Sequence, residues 1–115
     1  MNLKNDFKAF SIGNNANVPS QINYEASENI NNGFQADKAI TTHDLNKALR
    51  QSSTIASVVA DFIKTQSGEN VLDDGDIAKI TVQLNRALEK TNSVFILFLC
   101  LRMKSSQRKT ATMKY

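Results

Sequence analysis

The chain has 115 residues, with 14 Lys/Arg against 11 Asp/Glu, one cysteine and no tryptophan. That length permits one compact domain with a modest core, and such a domain often needs a partner or a covalent staple. The lone Cys100 excludes an intrachain disulfide, which points to a reduced, cytoplasmic setting.

Ten of the thirteen asparagines lie at or before Asn46, so the N-terminal third should be irregular. Residues 1–18 read as an extended arm, with Phe7, Phe10 and Ile12 ahead of a Gly13-Asn14-Asn15 turn cluster. The start has no apolar stretch after its first charges, which argues against a secretory signal. Pro19-Ser20 then opens a short helix, in which Ile22, Ala26 and Ile30 recur at helical spacing and Asn32-Gly33 supplies the stop.

Thr41-Thr42 begins the strongest helix, expected to run about 24 residues to Gly68. Thr41 and Asp44 have the spacing of a capping box. With Leu45 at heptad position a, the apolar residues Leu45, Ala48, Leu49, Ile55, Ala56, Val59, Phe62 and Ile63 fall on a, d and e sites of three heptads, interrupted at Ser52. After Asp73-Asp74-Gly75-Asp76, a second stripe follows at Ile77, Ile80, Leu84, Ala87 and Leu88. The fold class is therefore mainly α, an antiparallel helix pair with a short additional helix and an extended N-terminal arm. The expected core or interaction residues are Leu45, Leu49, Ile55, Val59, Phe62, Ile63, Ile77, Ile80, Leu84 and Leu88. With so little core per residue, self-association into a homo-oligomer is expected.

The composition changes after Lys90. VFILFLCL, Val94 to Leu101, has eight residues where a membrane-spanning helix needs roughly 20; a buried strand, a helix core and an aberrant terminus all remain open for it. Residues 1–101 carry a balance of −2 and residues 102–115 a balance of +5, from Arg102, Lys104, Arg108, Lys109 and Lys114. Those five could contact phosphates, although only Tyr115 follows them for base stacking. The segments are thus 1–18, 19–90 and 91–115.

No catalytic constellation is visible. Placing Gly75 at the glycine of an EF-hand loop puts Asn70, Leu72 and Thr81 at its first, third and twelfth positions, so the bidentate acid is missing and helix capping is the better account of the acids. His43 is the only histidine, far in sequence from Cys100, and no Gly-rich phosphate loop occurs. No enzyme activity, cofactor or metal is expected.

Four motifs occur together and in order: PSQINYE from Pro19, GFQ from Gly33, KALRQSSTIA from Lys47 and QSGENVLDDGDIA from Gln66. With them the chain, over residues 7–90, resembles the N-terminal region of prophage and phage tail-fibre proteins, in a truncated form. The resemblance implies a virion-proximal attachment module, trimeric in the assembled fibre. Residues 91–115 depart from the family and lack the spacing of a fibre shaft, so receptor binding is not implied. Two functions follow as expectations: a non-enzymatic structural or assembly module that attaches to phage baseplate or tail proteins, or a small phage-encoded effector that binds a host protein or nucleoprotein, as an anti-defence inhibitor does. Either would be found in the host bacterial cytoplasm, and the first also in the virion tail.

Overall fold

The computed structural model describes residues 2–113, the side chains of Val94 and of 105–113 excepted. It is mainly helical and has no strand among those residues. The elements are α1 (Gln21–Glu25), α2 (Asn29–Asn32), α3 (Thr42–Ser67) and α4 (Ile77–Met113), and the two long helices pack together.

The single short helix expected after Pro19 is two. Ser20 caps the first as expected, its Oγ accepting the Asn23 N–H at 3.2 Å. The break comes at Ser27, whose Oγ accepts the Asn29 N–H at 3.2 Å and donates to Asp44 Oδ2 at 2.6 Å. A serine hydroxyl that engages the backbone two residues on competes with the helical ladder. The same contact corrects the expected capping box, because the Asp44 carboxylate is turned to Ser27 and Asn29.

The boundaries of the long helices are local chemistry. α3 stops where Gly68 takes φ 74° and donates its N–H to the Lys64 carbonyl at 3.0 Å, a left-handed residue that glycine adopts without a Cβ clash. α4 starts at an Asp76 cap, whose Oδ1 accepts the Lys79 N–H at 3.0 Å, while Asp74 Oδ1 accepts the Asp76 N–H at 3.1 Å across Gly75 at φ 79°. Asp74 and Asp76 thus serve helix initiation. Of the readings open for VFILFLCL, the structure shows helix: α4 continues through it.

Two compact units make up the chain, Asn5–Asp61, and Met1–Lys4 with Phe62–Tyr115. In the first, the arm runs antiparallel to α3. Asn5 Nδ2 donates to the Ser57 carbonyl (3.1 Å), the Phe10 N–H to Ser53 Oγ (2.8 Å), Asn46 Nδ2 to the Asn17 carbonyl (3.1 Å), and Asn29 Nδ2 to Asp44 Oδ2 (2.9 Å). In the second, Ile63, Val71, Gln83 and Ala87 are buried, and the Val71 N–H donates to the Lys4 carbonyl at 2.8 Å.

The expected stripe residues divide. Ile63 is buried; Leu45, Phe62, Ile80 and Leu84 are half-buried; Leu49, Ile55, Val59, Ile77 and Leu88 are exposed and so do not form a core within the chain. For α3 the reason lies in the arm. An asparagine-rich extended segment laid on a helix needs hydrogen-bond partners for its backbone and amides, and the side of α3 that carries Thr42, Asn46, Ser53 and Ser57 offers them. Asp44 and Lys47 are buried, while Leu49, Ile55, Val58 and Val59 are exposed.

Candidate interaction surfaces

The outward face of α3 is built by Leu49, Ser52, Ile55, Ala56, Val58 and Val59, all exposed. Ile55 and Val58 are 65% and 62% exposed, Leu49 and Val59 42% and 44%. Its one hydroxyl is already engaged inside its own helix: Ser52 Oγ lies 3.1 Å from the Ala48 carbonyl and 3.3 Å from that of Leu49. Between Leu49 and Val59 the only charged residue is Arg50, which is half-buried. The result is an uncharged, effectively apolar surface about two heptads long.

At the N-terminal end of α3, Asp44 lines a recess of about 320 Å³ together with Glu28, Phe34, Gln35 and Lys38. Donation from Ser27, then from Asn29, holds the Asp44 carboxyl below its ordinary pKa; burial opposes this, and His43 adds to it. His43 Nε2 lies 3.7 Å from Asp44 Oδ1, and its side chain is half exposed. These bonds anchor the segment between α1 and α2, and the Asp44 carboxylate is committed to them.

Glu69 plays the equivalent part in the other unit. It accepts from Gln83 Nε2 at 3.1 Å and pairs with Arg86; the Gln83 bond first, then Arg86 and Lys79, lower its pKa against the effect of burial. Gln83 is 1% exposed, its Nε2 also donates to the Asn70 carbonyl at 2.9 Å, and its Oε1 is buried without a partner.

Comparisons with protein-family models, curated proteins and solved structures give no match.

On α4, the apolar residues Phe95, Ile96, Leu97, Phe98, Leu99 and Leu101 are exposed on every side of the helix, as is Cys100. No helix of the described residues is long and apolar enough to cross a membrane. Of the five basic residues singled out for phosphate contact, Arg102 and Lys104 are exposed, and the Arg102 guanidinium sits 5.6 Å from the centre of the Phe98 ring. The Arg108 and Lys109 side chains and all of Lys114 lie outside the described residues. No group of three or more His, Cys, Asp or Glu able to hold a metal occurs among the described residues.

Sequence reasoning passed over Asn5, Asn17, Ser53 and Ser57, which join the arm to α3, and Ser27, which binds Asp44. The signal for them was present: the polar residues Thr42, Asn46, Ser53 and Ser57 recur on one side of α3 at helical spacing, and the asparagines that could answer them are concentrated in the first third of the chain.

Proposed function

We propose that this chain is a non-enzymatic structural module of phage origin, related to the N-terminal region of tail-fibre proteins, which attaches to tail or baseplate proteins through helical surfaces. The observation that carries the reading is the agreement between the shared motifs and the turning points of the fold. PSQINYE contains the Ser20 cap and all of α1, GFQ begins at the glycine that ends α2, KALRQSSTIA lies within α3, and QSGENVLDDGDIA covers the end of α3, the connection and the cap of α4. Resemblance at the residues that start and stop helices argues for a shared backbone plan. The exposed apolar face of α3 supplies a surface of the kind protein partners cover.

The module would act in the bacterial cytoplasm during virion assembly and remain in the tail. The test is co-expression of the tagged full chain with tail and baseplate proteins in the bacterial host, with the purified complexes read by native mass spectrometry. A stoichiometric complex with a tail component is the expected result. A stoichiometric complex with a host enzyme in its place would replace this reading with that of an anti-defence effector.

A further inference from the structure

We propose that the apolar segment of α4 docks on an anionic lipid surface, its side chains entering the hydrocarbon boundary of one leaflet and the basic residues beside it meeting the headgroups. Past Ala87 the helix leaves the packed part of its unit: from Leu88 to Lys104 every described side chain is exposed. Within that stretch Phe95, Ile96, Leu97, Phe98, Leu99 and Leu101 are each between 42% and 61% exposed, and consecutive residues at helical spacing point to all sides of the axis. No stripe is distinguished. A partner protein laid alongside covers one stripe of a helix, whereas hydrocarbon surrounds it, and a helix that is apolar all round belongs in an apolar medium.

Charge selects the surface. From Lys90 to the end of the sequence there are six basic residues and no acid, and Lys90, Arg102 and Lys104, which flank the apolar segment, are exposed. A second copy laid alongside would bring charge of one sign to charge of the same sign. Anionic headgroups answer it at both ends of the segment. The Arg102 guanidinium lies 5.6 Å from the centre of the Phe98 ring, so this cation already rests against the apolar surface, as basic side chains do when the stem lies in hydrocarbon and the charge reaches the headgroups.

Length fixes the mode. The eight apolar residues from Val94 to Leu101 span about 12 Å of helix axis, against about 30 Å of bilayer hydrocarbon, and no helix of the described residues is long and apolar enough to cross. The segment therefore lies along the interface, sunk about 5–10 Å below the headgroups, and the binding is reversible. It rests on α4 alone and stands whether or not the chain attaches to a phage tail.

The exposed Cys100, the only cysteine, lies inside the segment and carries the reporter. The full chain labelled there with nitrobenzoxadiazole is mixed with phosphatidylcholine vesicles, with and without phosphatidylglycerol. The expected result on anionic vesicles is a blue-shifted emission that aqueous iodide no longer quenches and doxyl-labelled lipid does. Binding should weaken by about tenfold or more on neutral vesicles and at high salt, and unlabelled chain should cosediment with vesicles in the same order. Phe98→Glu and Leu101→Glu should each abolish the shift without loss of helical dichroism, since both side chains are exposed, and Ile55→Glu on α3 should leave it unchanged. A probe still quenched by iodide on anionic vesicles would overturn the proposal, as would equal binding to both vesicle types or a shift that survives both α4 variants. A blue shift before lipid is added, growing with protein concentration, would replace lipid with a second copy as the occupant.

Discussion

Ser27 Oγ donates to Asp44 Oδ2 at 2.6 Å across seventeen residues of sequence, and this one bond ties the break between α1 and α2 to the first turn of α3. The serine also accepts the Asn29 N–H, and Asn29 returns to the same carboxylate oxygen at 2.9 Å. Replacing Ser27 by alanine removes a donor to a charged acceptor together with a turn-forming acceptor. The expected outcome is a lower melting temperature, with faster amide exchange confined to residues 20–32 and the start of α3. Exchange that stayed uniform along the chain would show that the contact does not organise the α1–α2 segment.

Asn5 is the buried anchor at the other end of the arm, 8% exposed, donating to the Ser57 carbonyl and accepting the Phe7 N–H at 2.8 Å. Asn5→Ala leaves the Phe7 N–H without that partner and removes a bond to α3, at a cost of about 1–3 kcal/mol. Urea denaturation should show the loss as a lower midpoint.

Among apolar positions, Ile63 is buried and Ile55 is not, so truncations at the two should differ sharply. Ile63→Ala is expected to destabilise by about 2–5 kcal/mol, whereas Ile55→Ala should change the stability of the dilute chain by no more than about 0.5 kcal/mol. Equal costs at the two positions would contradict the assignment of α3's outward face.

Stability should fall in acid through two carboxylates. The pKa values of Asp44 and Glu69 are both lowered in the folded chain, first by hydrogen bonds from Ser27 and from Gln83 respectively. A lowered folded value means that the unfolded chain binds protons first as pH drops, so the contribution is fully present above the ordinary carboxylate range of about 4. It is lost as pH falls from there through the lowered folded values. A pH titration of the melting temperature should therefore be flat above that range and decline below it, and Asp44→Asn together with Glu69→Gln should flatten the decline.

The cap of α4 is separately testable. Asp76→Ala deletes the acceptor for the Lys79 N–H, with an expected loss of about 1 kcal/mol, and Asp76→Ser should restore most of it.

The punctuation of the helices was legible in the sequence because it is local chemistry. Ser20, Gly33, Gly68 and Asp76 act within one turn of themselves, through a cap bond or a left-handed backbone, and each is found at a helix boundary. The existence of two long amphipathic helices followed from the same short-range periodicity. Which side of α3 would be covered was not a local matter. Hydrophobic patterning favours the stripe of Leu49, Ile55 and Val59, but the segment that reached α3 is an extended arm rich in asparagine, and unpaired backbone groups can be satisfied only on the polar side. The partner that Ser27 finds was equally non-local, since it is a carboxylate seventeen residues away. The tertiary structure thus decided what the apolar stripe is for: with the arm bound to the opposite side, the stripe is left as a surface.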